Sequence, residues 1–221
     1  MIDWRAIDTV LLDMDGTLLD LHFDSHFWLE HLPRRYGELH RLDEATQDEL
    51  RARIIREQGT LNWYSLAYWS RELGVDIVAL KREVQHLIGL RGDALDFLQW
   101  LKRAHPRVVL ATNADRESLG LKLPLTGLDD YLDAIVSSAD LGVPKEAQEF
   151  WFALQEIEPF NPARTLFIDD NPAVLESARE YGIRHLLGIR KPDSTRPERE
   201  LEEFIALDRF AALLPAERPS I

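Results

Sequence analysis

Apolar positions in this chain follow two patterns: short unbroken runs, and longer stretches where they recur every three or four residues. Val10-Leu11-Leu12 is the first unbroken run, and it leads directly into Asp13, Met14, Asp15, Gly16 and Thr17. A continuous run this short predicts a strand buried on both faces, as in parallel sheets covered by helices on each side. Arg107–Ala111, Ala134–Ser137, Thr165–Ile168 and Arg184–Ile189 predict further strands. Between them the period changes to that of a helix. Asp93–Lys102 places Leu95, Leu98 and Leu101 on one stripe behind Asp93 as N-cap, and His105-Pro106 then stops the helix. Lys145–Gln155 carries Phe150, Trp151 and Leu154. Pro172–Glu180 follows Asn171 as cap, has Pro172 in its first turn, and presents Val174, Leu175 and Ala178. Strand alternating with helix predicts an α/β fold with a parallel, doubly wound sheet.

The stretch from Leu21 to Ile88 breaks the alternation. It has helical periodicity, many aromatics and no strand pattern, which predicts an all-helical insertion (21–88) within a core formed by 1–20 and 89–221. Further on, Lys191–Glu200 reads as a polar loop with two prolines and Asp208–Leu214 as a short closing helix. A length of 221 residues suits one α/β domain plus such an insertion.

Charge narrows the partners. A formal net charge of −13 argues against a nucleic-acid polymer or an anionic membrane, since both require a basic face. It leaves room for a small anionic substrate, because one cation can invert the field inside a pocket. The absence of cysteine removes thiol catalysis, disulfides and zinc–thiolate sites. With no apolar signal core at the start and no run of membrane-spanning length, the expected location is cytoplasmic.

The candidate chemistry lies at strand ends, where open α/β sheets bind ligands. Side chains alternate along a strand, so Asp13 and Asp15 leave on the same side while Met14 turns away. Two carboxylates held that close persist together only if one is protonated or a cation sits between them. Gly16 permits a sharp turn directly afterwards. The second strand delivers Thr112 and Asn113, Pro144-Lys145 opens a helix, and the fourth strand delivers Asp169 and Asp170. Four carboxylates against one ammonium leave an excess of negative charge that a divalent cation would relieve.

This order of motifs (DMDGT, a hydroxyl residue after the second strand, a lysine, then DD after the fourth) resembles the haloacid dehalogenase superfamily of phosphohydrolases. The resemblance covers the whole core and implies a HAD-like Rossmannoid fold, with the helical insertion as its cap. It also implies Mg²⁺ as cofactor and an aspartyl-phosphate intermediate on Asp13. Asp15 would be the general acid and then base, with Thr112, Asn113 and Lys145 binding phosphate. Metal ligands would come from Asp13, Asp15 (by its backbone carbonyl) and Asp170, with Asp169 acting through metal-bound water. The segments IDTVLLDMDGTLLDL, TLNWY, YWSRELG, ARTLFIDD and GIRHLLGIRKPDS are similar to the purine-mononucleotide (GMP/IMP) 5′-nucleotidases of Gram-negative bacteria. That likeness implies a purine mononucleotide as the small-molecule phosphate ester. A phosphatase of another small metabolite, such as phosphoglycolate or a sugar phosphate, and a phosphomutase are the alternatives on the same core. A signalling receiver domain is disfavoured, because there the acidic pair comes first and the acceptor aspartate follows a middle strand.

Other residues invite weaker readings. Trp63, Tyr64, Tyr68 and Trp69 fall at helical spacing, which favours packing over ligand binding. If a cap aromatic stacks on a purine, the candidates are Phe27, Trp28, Trp63 and Tyr64. His22 and His26 are spaced i, i+4 but lack a metalloprotease pattern, and so read as solvated or packed. Arg91, where the chain re-enters the core, is a candidate for reaching a substrate anion.

Overall fold

A computed structural model describes residues 2–104 and 106–215, so the His105 half of the expected helix stop lies outside the described residues. Six parallel strands form one sheet in the order β3-β2-β1-β4-β5-β6. They span Thr9–Leu12 (β1), Arg107–Thr112 (β2), Ala134–Ser137 (β3), Thr165–Asp169 (β4), His185–Ile189 (β5) and Ile205–Leu207 (β6). Five match the unbroken apolar runs. Alternation sends Val10 and Leu12, Val108 and Leu110, and Leu166 and Ile168 to one face. There they pack against Phe97, Leu98 and Leu101 of the helix Ala94–Ala104 and against Phe210. Leu11, Val109, Ala111 and Phe167 point to the other face, under Phe150, Trp151 and Leu154 of the helix Gln148–Ile157 and Val174, Leu175 and Ala178 of the helix Pro172–Tyr181. Burial on both faces is why these runs show no polar alternation.

Three expectations change. The strand β6 joins β5 in parallel, pairing Ile205 with Leu187, at a place where no strand was expected. It has three residues and Ile205 is 71 % exposed, so its pattern is too short to read. Leu95 is exposed, and the buried stripe of its helix runs through Ala94, Phe97, Leu98 and Leu101. The expected closing helix is instead a 3₁₀ turn, Phe210–Leu213, whose Ala211 N–H donates at 3.0 Å to Oδ2 of Asp93, the residue directly ahead of the helix Ala94–Ala104 as expected.

Between β1 and β2 the described residues contain helices and no strand. Four of these helices start at a polar cap: Asp43, Thr60, Ser65 and Asp76 accept hydrogen bonds from Thr46, Trp63, Tyr68 and Ala79 N–H groups. This all-helical cap has its own core, including Phe23, Phe27, Leu32, Ile54, Leu66, Trp69 and Ile77. Trp69 lies fully inside it, the packing role that its helical spacing favoured. Among the described residues no helix is long and apolar enough to cross a membrane.

The register prepares the site. Leu12 is level with Leu110 of β2 and Ile168 of β4, and the Asp13 N–H donates to the Ile168 carbonyl at 3.0 Å. Asp13 therefore leaves the sheet at the switch point between β1 and β4, where the chain direction opens a crevice.

Candidate active site

The turn after β1 closes on the Met14 carbonyl, which accepts from the Leu18 and Leu19 N–H groups at 3.0 and 2.8 Å. Gly16 makes the turn with φ +88°, a conformation that disfavours residues with a β-carbon. Met14 packs into the core beneath, while Asp13 and Asp15 line one cavity above, as strand alternation required.

Lys145 holds the centre. Its ammonium donates to Asp13 Oδ1 at 2.6 Å, Asp169 Oδ2 at 2.7 Å and the Ala111 carbonyl at 3.0 Å, which uses all three of its protons. Burial alone would favour the neutral amine, but the two carboxylates overcome it and hold the pKa above the usual lysine range. Lys145 does not open a helix: it sits in a turn closed by the Ala147 N–H on the Pro144 carbonyl, and the helix begins at Gln148. Its own N–H donates to Asn113 Oδ1 at 3.0 Å, a bond that ties the turn to the end of β2.

Thr112 and Asn113 stand beside it, both buried. Thr112 Oγ1 accepts from the Ala114 N–H at 3.1 Å, so its hydroxyl proton remains to be donated. The Asn113 side chain is already engaged at both ends, because its Nδ2 donates to Glu146 Oε2 at 3.0 Å. Glu146 Oε1 in turn accepts from Tyr64 Oη in the cap at 2.8 Å and from Asn171 Nδ2 at 3.3 Å.

One oxygen from each of Asp13, Asp169 and Asp170 falls within 4.8 Å of the others. Asp169 is committed, with Oδ2 on Lys145 and Oδ1 accepting from the Asn171 N–H at 2.7 Å. Asp13 Oδ2 is buried without any hydrogen-bond partner. Burial, with the Asp169 charge adding to it against Lys145, pushes the Asp13 carboxyl up to about 6. Burial and the Asp169 and Asp13 charges push Asp170 well above the usual carboxylate range. An orphaned oxygen among carboxylates that resist ionisation is a donor set suited to a hard divalent cation.

The chain matches the model of the haloacid dehalogenase-like hydrolases over residues 7–182. It belongs to that family. It is 42 % identical over 216 residues to the GMP/IMP nucleotidase YrfG of Escherichia coli K12, with 97 % of each chain covered. Among solved structures it superposes on a HAD phosphatase from Thermococcus onnurineus with a TM-score of 0.75 at 19 % identity, covering 94 % of this chain and 96 % of that one. A putative β-phosphoglucomutase from Thermotoga maritima gives a TM-score of 0.64 at 18 % identity, with 92 % and 95 % covered. These structural likenesses show the fold.

In this HAD-like hydrolase the site opens into a cavity of about 710 Å³ between core and cap. Trp28 and Trp63 lie nearly face to face on its wall, with ring centroids 6.4 Å apart and 27° between planes, and Tyr64 lines it too. Phe27 lies entirely within the cap core, unable to meet a ligand. Arg91 donates to the Lys191 and Asp208 carbonyls, away from the cavity. His22 faces Asp193 and Thr195 while His26 bonds Glu30, so the two rings share no site.

Sequence reasoning missed several cavity residues. Lys122 donates to Asp15 Oδ1 at 2.7 Å, and Arg199 meets Asp170 through both the backbone carbonyl and, at 3.2 Å, Oδ2. With these two cations beside Lys145, the excess of negative charge is smaller than the motifs alone implied. Asp24, Lys81, Glu146 and Arg196 also line the cavity. A faint signal existed for Lys122, a lone charge flanked by Leu121 and Leu123. Arg199, Asp24 and Lys81 carry no local signal.

Proposed function

We propose that this hydrolase is a Mg²⁺-dependent phosphomonoesterase that works through an aspartyl-phosphate on Asp13, with a purine 5′-mononucleotide as substrate. One observation carries this reading: Lys145 clamps Asp13 by Oδ1 and leaves Oδ2 unpartnered in the cavity. The Asp13 carboxylate is the nucleophile. It attacks phosphorus, the bond to the ester oxygen breaks, and Asp15 gives its proton to the departing alcohol. Asp15 then takes a proton from the water that attacks the phosphoryl group, the bond to Asp13 breaks, and inorganic phosphate leaves. Burial raises the Asp15 carboxyl to about 6, with Lys122 opposing and Asp24 adding to the rise, which suits a group that must both give and accept a proton near neutrality.

Thr112 donates its free hydroxyl proton to a phosphoryl oxygen. Asn113 contributes through its backbone, since its side chain is occupied. Lys145 compensates charge on both nucleophile and phosphate. Asp13, Asp170 and the Asp15 backbone carbonyl would hold Mg²⁺, with Asp169, already bonded at both oxygens, acting through water. Bound there, the ion would supply positive charge to the phosphate and relieve the repulsion among the carboxylates.

Support for the purine comes from the 42 % identity to a GMP/IMP nucleotidase and from the Trp28, Trp63 and Tyr64 rings on the cavity wall. Residues 1–20 and 89–221 form the catalytic core and 21–88 the cap that selects the substrate, in a protein working in the cytoplasm.

The test is phosphate release with Mg²⁺ across purine nucleotides, phosphoglycolate and sugar phosphates, without a bisphosphate activator. Higher kcat/KM on the purine nucleotides supports the reading, and isomerisation of a sugar phosphate with no phosphate release would indicate a mutase. Trp63→Ala should raise KM for a nucleotide and spare a small phosphate ester. Asp13→Asn should abolish turnover in a folded protein, and activity in that variant would refute the covalent scheme.

A further inference from the structure

Asp15 is not held by the core alone. The Lys122 ammonium, on the helix Arg116–Thr126, donates to Asp15 Oδ1 at 2.7 Å and to Asp24 Oδ2 of the cap at 2.6 Å. Asp24 Oδ1 accepts from Lys81, also of the cap, at 2.6 Å. Lys81 is roofed by Phe23 and Phe27, whose centroids lie 4.8 and 4.9 Å from its nitrogen. The side chains of both lysines are 2 % exposed. Lys81, Asp24, Lys122 and Asp15 thus form a row of alternating charge running from cap to core, with both ammoniums buried.

Adhesion does not explain this row. Dehydrating two ammoniums is expensive, and apolar residues of similar size commonly hold two surfaces together as well or better. The row does orient Asp15. With Oδ1 pinned by Lys122, Oδ2 is the oxygen left to exchange a proton with substrate or water. Lys122 in turn depends on Asp24, which arrives with the cap.

We propose that Lys122 is a positioning residue for Asp15 and that Asp24 fixes Lys122, so that the acid–base group is aligned only when the cap is seated on the core. This rests on the acid–base role assigned to Asp15. The side chains of a different domain therefore complete the catalytic geometry, and substrate enclosure and proton transfer are coupled through one ammonium.

The experiment is stopped-flow hydrolysis of p-nitrophenyl phosphate with Mg²⁺ by the full-length protein and by Lys122→Met, Lys122→Arg and Asp24→Asn. Nitrophenolate departs without a proton, so phosphorylation of Asp13 needs no help from Asp15, whereas hydrolysis of the aspartyl-phosphate does. Lys122→Met should keep a burst of one nitrophenolate per active site and lose roughly 10- to 100-fold in the following steady-state rate, a fraction of what a general base contributes. Asp24→Asn should show the same split with a smaller loss, and Lys122→Arg should recover most of the rate. Burst amplitude counts folded sites, so misfolded protein does not imitate the result. Should Lys122→Met fail to fold, Asp24→Asn, which keeps the lysine, decides the matter. Burst and steady state falling together, or unchanged turnover, would overturn the proposal. Asp15→Asn separates the two levels: if it keeps the burst and loses turnover while Lys122→Met behaves as wild type, the acid–base reading stands and the positioning role fails. A normal steady-state rate in Asp15→Asn would instead remove the acid–base reading.

Discussion

Gly16 and Asp170 pack so closely that a β-carbon on the glycine would lie 2.7 Å from the Asp170 carboxylate carbon. The glycine therefore serves two purposes, taking φ +88° and leaving room for the later acid of the pair that ends β4. Gly16→Ala should displace Asp170, so the Mg²⁺ concentration giving half-maximal activity should rise and kcat should fall. The backbone strain should cost about 1 kcal/mol or more in urea unfolding. An unchanged Mg²⁺ titration would show that Asp170 does not depend on this contact.

Lys145 neutralises two buried carboxylates, so its removal should do more than abolish activity. Lys145→Met leaves Asp13 and Asp169 buried without their cation and should cost about 3–5 kcal/mol in metal-free unfolding. Adding Asp13→Asn removes one of the stranded charges, and the double variant should be less destabilised than the sum of the singles. Strict additivity would mean that the pair is not coupled.

Acid should loosen the cap. Burial pushes Asp24 towards its neutral form, but Lys122 and Lys81 together outweigh that and hold its carboxyl well below the usual range. A group with a depressed pKa in the folded state contributes stability above its unfolded pKa and loses it as pH falls. Thermal melts should therefore show the wild type losing stability below about pH 4 more steeply than Asp24→Asn. Parallel acid limbs would remove Asp24 from the account.

Chelation should stop turnover and added Mg²⁺ restore it. Binding should also be visible without substrate. Mg²⁺ should raise the Tm of the wild type, because it relieves carboxylates that burial and one another's charge keep from ionising. Asp170→Asn should be at least as stable as wild type without metal and should lose most of the Mg²⁺ response.

Much of this protein is legible from local pattern. The apolar runs of β1, β2, β4 and β5 cannot be polar on either face because helices cover both, and the acids that end β1 and β4 interrupt those runs abruptly. Asn171-Pro172 marks its helix start for equally local reasons, with Asn171 capping the Ala173 N–H. Such signals depend on a residue and its near neighbours, so order along the chain suffices to place Asp13, Asp15, Thr112, Lys145, Asp169 and Asp170 around one sheet edge.

What the chain alone left open is carried by pairs that meet only after folding. Lys122 reaches Asp15 across 107 positions and Asp24 across 98, and no periodicity encodes a contact between a cap helix and a core helix. The Lys145 N–H likewise meets a distant partner, the Asn113 side chain. Local hydrophobic patterning determines which elements exist and which ends carry charge. The counter-ion that each buried charge finds depends on the packing of cap against core, because desolvation and Coulomb attraction act through space and disregard separation along the chain.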